Sequence, residues 1–201
     1  MFPLGTVLVP GGFLPVRVFE PRYRALVQDC LSGTPEFGVA LIERGSEVGG
    51  GDARFDVACV ARIVEAGELP GGHIALATVG SRRIRVTSWL PDDPYPQAEV
   101  EDWPDPPTGD GDAEHRDAVL AELRRVLALA AEVGEPVASA AGVELAEDVT
   151  VASYQLAALA PVGPLDRLAL LAAPSVAARL ERVAALLADV EAVLASRLDG
   201  G

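Results

Sequence analysis

Hydrophobic and polar positions near the start of the chain predict two short strands. The apolar run Val7-Leu8-Val9 ends at Pro10-Gly11-Gly12, a cluster that marks a turn. Residues 13–19 then partly alternate between apolar and polar, as a strand does. Because proline cannot donate a hydrogen bond to a strand ladder, Pro15 indicates an edge strand or a bulge.

A helix is predicted directly after the second strand. Pro21 is pre-set for the first helical position, and Glu20 before it is suited to cap the helix or to interact with its dipole. Apolar residues then recur at helical spacing, namely Tyr23, Leu26, Val27 and Cys30. Glu20, Pro21 and Arg22 thus form a strand-to-helix junction. We expect its acid and base to fix the junction by charge pairing and hydrogen bonds rather than to act as a catalytic pair.

The following residues predict further strands. Residues 57–64 and 73–79 suit a hairpin around a glycine-containing turn, and residues 83–90 and 97–101 suit two more strands. Residues 43–54 contain four glycines and predict a mobile hairpin loop. About six strands with one inserted helix would curl into a small open barrel.

The later part of the chain follows a helical period instead. Three segments predict helices: a stretch of apolar positions from Val119 to Val133 that stops at Gly134, a shorter one around 151–159, and one that begins at Pro164. The clearest helix has Ser175 as its cap. Its apolar residues repeat at threes and fours, namely Val176, Leu180, Val183, Leu187, Val190, Leu194 and Leu198. These helices are expected to pack as a bundle.

A change in composition separates the two parts. All five Phe and both Trp residues lie before position 104, whereas Ala and Leu dominate beyond it. Prolines, glycines and acids are concentrated between the two parts, as in a solvated linker or long loop. We therefore predict a β-rich domain over residues 1–103, a linker over 104–113 and a helical bundle over 114–201.

A resemblance to a known family rests on several segments in the same order. They are the junction around Pro21, the strand Phe37-Gly38-Val39, the segment Gly80-Ser81-Arg82-Arg83-Ile84-Arg85, and residues 164–171 in the helical half. Together they closely resemble the LON substrate-binding domain, which opens LON-type ATP-dependent proteases and also occurs as a free-standing protein. Ile84 replaces the usual Phe of that family. The resemblance implies an α+β fold: a PUA-like pseudobarrel with one inserted helix, followed by a C-terminal helical bundle.

The basic residues exclude two kinds of catalysis by this chain. All sixteen are arginine, and lysine is absent. A P-loop needs a lysine that reaches the nucleotide phosphates, and a Ser-Lys dyad needs one as its base. We therefore expect no ATPase, no protease and no cofactor.

Charge and cysteine usage narrow the partners and the compartment. A formal charge of −14 disfavours nucleic-acid binding. No apolar run is long enough to suggest a membrane span. Cys30 and Cys59 lie in apolar segments, which predicts buried free thiols and a reducing compartment, the cytoplasm. The two cysteines, like His73 and His115, lack paired ligand spacing, so no metal site is expected.

Three functions remain open at this point. The resemblance implies a non-catalytic module that binds unfolded or extended protein segments, through a sheet edge or through a groove between the two parts. The candidate contact residues, each of which could instead pack in the core, are Phe2, Leu4, Phe13, Pro15, Phe19 and Tyr23. The alternative is an adaptor that docks on a separate protease or other partner through its helical half. The third is a small-molecule enzyme that uses the barrel pocket. The sequence contains no recognisable nucleophile, base or cofactor loop for such an enzyme.

Overall fold

Strands occupy the first half of the chain and helices the second, apart from one helix inserted between the second and third strands. The computed structural model describes residues 1–136 and 142–199. The elements in order are β1 Phe2–Leu4, β2 Phe13–Val18, α1 Pro21–Ser32, β3 Glu36–Arg44, β4 Ala53–Leu69, β5 His73–Leu90, β6 Gln97–Asp102, α2 Asp112–Glu132, α3 Val149–Leu159, α4 Pro164–Leu171 and α5 Val176–Asp199. This arrangement has the predicted α+β class. Two compact units divide the chain, residues 1–104 and residues 105–201.

The strands form one mixed six-stranded sheet. Five of them follow the order β1-β3-β4-β5-β2, and the sixth, β6, pairs with β5. β1 runs parallel to β3, and the other pairs are antiparallel. β5 is long enough to pair with β2 along its first half and with β6 along its second half. Among the described strands β2 pairs only with β5, so it is an edge strand, as Pro15 predicted.

Two details of the strand prediction were wrong. The first strand is Phe2–Leu4, whereas residues 7–9 are buried but outside the ladder. Those three residues lie between a bend and the turn at residues 10–11, and their side chains pack in the core although their backbone belongs to no strand. Residues 83–90 are not a separate strand, because β5 continues from the hairpin through residue 80 to Leu90. Register shifts in its pairing with β4 accommodate the continuation.

Helix α1 buries the face that the sequence predicts. Its buried residues are Tyr23, Leu26, Val27 and Cys30. Pro21 lies in the first turn, and Glu20 occupies the cap position without forming a side-chain capping hydrogen bond. Both cysteines are buried free thiols.

The helical unit has the predicted stripe on α5. Five of the seven positions are buried and Val190 is half-buried, whereas Leu198 at the end is 42 % exposed. The Ser175 hydroxyl accepts a hydrogen bond from the Ala178 amide at 3.2 Å, and Gly134, with φ of +80°, follows the end of α2. Within residues 1–136 and 142–199, none of the helices combines the length and hydropathy needed to cross a bilayer.

A buried arginine connects the start of unit 2 to its helices. The Arg179 side chain is fully buried and donates hydrogen bonds to the Asp105 carboxylate at 2.6 Å, the Ser153 hydroxyl at 2.8 Å and the Leu170 carbonyl at 3.1 Å. Its guanidinium lies 3.7 Å from the Tyr154 ring centroid, and the Tyr154 hydroxyl donates to Asp105 at 2.6 Å. The acid-rich segment predicted as a solvated linker therefore contains one carboxylate that belongs to the helical core.

We predict a large loss of stability when Asp105 is replaced by Ala. The change leaves the Arg179 charge buried without its carboxylate, which typically costs about 3–5 kcal/mol. Urea unfolding followed by helical circular dichroism measures the loss. Asp102→Ala is the matched control, because Asp102 pairs with Arg82 at an exposed site and should contribute less than about 1 kcal/mol. Similar losses in the two variants would contradict a core role for Asp105.

A second stability prediction concerns Gly80. A Cβ atom at this position would overlap with the carbonyl oxygen of Val9, a backbone atom that has no rotamer by which to move away. We expect Gly80→Ala to lower the free energy of unfolding by about 1–3 kcal/mol or more. Gly67→Ala in the neighbouring strand β4 is the control, because its Cβ position is open. Thermal denaturation should separate the two variants, and a neutral Gly80→Ala would show that the loop adjusts freely.

Candidate functional site

The six candidate contact residues fall into two groups that differ in exposure. Phe2, Leu4 and Tyr23 are buried, with 9 % or less of each residue exposed. Phe13 is 65 % exposed, Phe19 is 47 % exposed and Pro15 is also exposed. The exposed group lies on or directly after the edge strand β2, so only this half of the set is placed to meet a partner.

The buried group holds the inserted helix on the sheet. The Phe2 ring stacks on the Tyr23 ring at 4.1 Å between centroids and contacts Phe37 at 5.8 Å. Burial raises the pKa of Tyr23 to about 12, although the nearby Arg22 charge acts in the opposite direction. Tyr23 therefore stays neutral at physiological pH and acts in packing.

The junction before α1 is fixed by charge, with Arg22 as its centre. Arg22 Nε donates to Glu20 Oε2 at 3.1 Å, and its guanidinium lies 4.4 Å from the Tyr23 ring centroid. Asp92 lies 3.8 Å from Arg22 and 3.4 Å from Arg54, so it bridges the two arginines. Glu20 and Arg22 lie directly after Phe19 in the chain, so these contacts adjoin the end of β2.

A second ion pair supports the same region. Burial alone would raise the pKa of Asp52, but the hydrogen bond and charge of Arg54 outweigh it and hold that pKa below its ordinary value. The Arg54 guanidinium also lies 4.9 Å from the Trp89 ring centroid. Asp52 is thus an ionised partner of Arg54 and not a poised acid.

The side chains of β5 that lie beside the exposed residues of β2 are apolar, and sequence reasoning did not identify them. They belong to Ala75, Ala77 and Val79, which are called the apolar floor below. The register places Phe13 opposite Val79, Pro15 opposite Ala77 and Arg17 opposite Ala75. These three β5 residues are half-buried and point to the same side as their β2 partners. The signal in the sequence was the alternation Ala75, Ala77, Val79, but the pairing of β2 with β5 could not be read from it.

Arg17 and His73 were also missed as part of this surface. An Arg17 Nη2 atom lies 3.0 Å from His73 Nδ1, and the His73 ring lies 6.2 Å from the Phe19 ring. Arginine can only donate, so His73 Nδ1 accepts and the neutral imidazole carries its proton on Nε2. The edge therefore presents aromatic, proline and arginine side chains side by side.

Two observations bear on the chemistry that the side chains can perform. In the described part of the chain, no group of three or more His, Cys, Asp or Glu side chains could hold a metal ion. Burial raises the pKa of Cys59 to about 12, and it also raises that of Cys30, which keeps both thiols protonated. An edge strand with exposed aromatic side chains can instead pair with an extended polypeptide and bury its apolar residues.

Comparisons with known proteins identify the family. The family model described as the ATP-dependent protease La (LON) substrate-binding domain matches residues 1–189. The chain is 32 % identical over 148 residues to a Lon protease of Anaeromyxobacter dehalogenans, a match that covers 72 % of this chain and 17 % of that protein. It is similar to a Lon protease of Roseiflexus castenholzii at 33 % identity over 101 residues, covering 50 % of this chain and 13 % of the relative.

Solved structures share the fold. A Lon N-terminal domain protein from Xanthomonas campestris superimposes with a TM-score of 0.63 at 29 % identity, covering 92 % of this chain and 95 % of the other. The N-terminal domain of a Mycobacterium avium complex Lon protease gives a TM-score of 0.65 at 18 % identity, covering 93 % and 97 %. The chain spans less than a fifth of the length of the curated relatives above. With a family model that covers residues 1–189, the chain belongs to the LON substrate-binding domain family.

Proposed function

We propose that this chain binds unfolded or extended, apolar polypeptide along the exposed edge of β2. The observation that carries the proposal is the exposure of Phe13, Pro15 and Phe19 on a strand that, within the described residues, pairs on one side only. Membership of a substrate-binding domain family supports a protein ligand. The buried residues Phe2, Leu4 and Tyr23 support the surface from behind and do not contact the ligand.

Strand addition explains how such a surface would recognise many sequences. A bound segment would pair its backbone with the free side of β2 and place alternate side chains against Phe13 and Phe19. Main-chain pairing is independent of side-chain identity, whereas the exposed rings favour apolar residues. One shallow surface must offset the ordering entropy of a flexible segment, so the expected dissociation constant is on the order of micromolar or weaker.

The proposed role is recognition without catalysis. A chain without lysine provides neither a P-loop lysine nor a Ser-Lys dyad, so ATP-driven cleavage would come from another polypeptide segment or partner. A protease is therefore the natural partner. The charge of −14 speaks against nucleic acid as a ligand, and the two buried free thiols support a reducing compartment such as the cytoplasm.

A groove in the helical unit favours the adaptor as the second candidate function. It encloses about 510 Å³ between the segment that precedes α4 and one side of α5, with Leu186, Val190 and the 54 %-exposed Val193 on its wall. Asp166 and Asp189 line it and form no ion pair within the described residues. A partner helix with apolar and basic side chains would fit such a groove. Loss of partner binding after Asp189→Arg, with polypeptide binding retained, would favour the adaptor.

The main prediction is that Phe13→Asp and Phe19→Asp each weaken polypeptide binding at least several-fold. Each change removes apolar contact area from the edge and adds a charge that the bound segment must desolvate. Titration of a fluorescently labelled, permanently unfolded model protein measures the affinity. Leu165→Asp is the matched control, because Leu165 is also 65 % exposed but lies in the helical unit.

Amide hydrogen exchange with saturating ligand identifies the surface directly. Protection is expected in residues 13–19 and along the first half of β5. Protection confined to residues 105–199, or equal binding by the Phe13→Asp and Leu165→Asp variants, would contradict the edge site.

A further prediction concerns nucleotide chemistry. Homogeneous protein should hydrolyse neither ATP nor an unfolded protein substrate, because no lysine is present to contact the nucleotide phosphates. A coupled phosphate-release assay and a fluorogenic protein substrate provide the two readouts. Turnover that copurifies with the chain through several chromatographic steps would overturn the non-catalytic assignment.

A further inference from the structure

One positively charged side chain, that of Arg17, lies among the apolar side chains of the exposed edge. The side chains that β2 and the next residue expose are, in order, Phe13, Pro15, Arg17 and Phe19. Their spacing of two places them on one face of the strand. A partner strand on this edge would therefore meet two apolar positions, a positive charge and a further apolar position.

No carboxylate of the described residues neutralises Arg17 in an ion pair. Glu20 and Glu47 line the same small cavity as Arg17, but Glu20 pairs with Arg22 and Glu47 accepts a hydrogen bond from the Gly5 amide. Glu65 on β4 lies opposite Ala77, with the whole width of β5 between it and the edge. Other exposed arginines also form no ion pair within the described residues, but Arg17 lies on the edge strand, where an added strand would face it.

His73 holds this arginine at the surface. The 3.0 Å contact from Arg17 Nη2 to His73 Nδ1 satisfies one N–H of the guanidinium, and the other donors remain available to a ligand. Phe19 flanks His73 at 6.2 Å between ring centroids. Arg17 is therefore oriented by a ring that is itself packed against an exposed aromatic residue.

We infer that Arg17 makes the edge select apolar segments that carry an acidic residue at the position that faces it. The inference rests on the proposed function and names its substrate class: extended apolar polypeptide with an embedded Asp or Glu. Opposite charges in a directly facing cross-strand pair attract, and like charges repel, so Lys or Arg at the same position is disfavoured. The apolar neighbours Pro15 and Phe19 reduce the water around the pair and strengthen the contrast.

We expect Arg17 to change which peptides bind preferentially rather than to raise the affinity strongly. Exposed ion pairs contribute little, so exchanging a facing Glu for Gln should weaken binding roughly two- to fivefold. Salt should reduce this ratio, because the pair lies at the protein surface. The apolar contribution from Phe13 and Phe19 does not share that salt dependence.

Three synthetic peptides test the inference. Each is an eleven-residue labelled segment of alternating Thr and Val that begins with Thr, and its central Val is replaced by Glu, Gln or Lys. Fluorescence anisotropy at low and high salt gives their affinities for the full chain and for two variants, Arg17→Gln and Arg17→Glu. Arg182→Glu is the control, because it changes the net charge equally at an exposed position of the helical unit.

The wild-type chain should bind the three peptides in the order Glu, Gln, Lys, and the ratio should shrink at high salt. Arg17→Gln should remove the order, Arg17→Glu should reverse it, and Arg182→Glu should retain it. Equal binding of all three peptides to the wild type would overturn the role of Arg17 and leave the edge site intact. Absence of binding to any peptide, together with no effect of Phe13→Asp on the unfolded protein, would instead remove the proposed function itself.

Discussion

The exposed edge depends on a close approach between two backbone segments. Gly80 N donates to Gly12 O at 2.9 Å, and Gly11 N donates to Gly80 O at 2.8 Å. These bonds fix the turn before β2 onto the middle of β5, and the next residue, Phe13, then begins the ladder opposite Val79. Only glycine at position 80 allows the Val9 carbonyl to lie this near. The position of every outward side chain on β2 follows from that contact.

Five aromatic residues of the first unit fall into a buried group and an exposed group. Phe2, Tyr23 and Phe37 form a stacked cluster that fixes α1, whereas Phe13 and Phe19 lie on the surface. The two exposed rings lie at the same sheet edge, and this shared position is the feature on which the proposed polypeptide site rests. Asp92 joins the ion pairs of Arg22 and Arg54 near the start of α1.

Local patterns predicted most elements and the hairpin of β4 with β5, but not the pairing of β2 with β5. The buried face of α1, the stripe on α5 and the edge character signalled by Pro15 follow from period and proline chemistry, which act over a few residues. Residues 7–9 were mistaken for a strand because an apolar run reads the same whether it is buried in a ladder or in a loop. The floor formed by Ala75, Ala77 and Val79 and the contact between Arg17 and His73 depend on register, which connects residues that are far apart in sequence.

Pro15 also affects whether two copies of the protein can pair through β2. A flat edge with exposed phenylalanines is a template for sheet-to-sheet aggregation, and each molecule carries the same edge. The missing N–H of Pro15 interrupts the ladder that two such edges would form, and two Arg17 side chains brought together would repel. If the edge binds extended polypeptide as proposed, an unfolded chain could place its own donors and charges around Pro15 and Arg17, whereas two identical folded edges would bring proline against the same ladder and arginine against arginine.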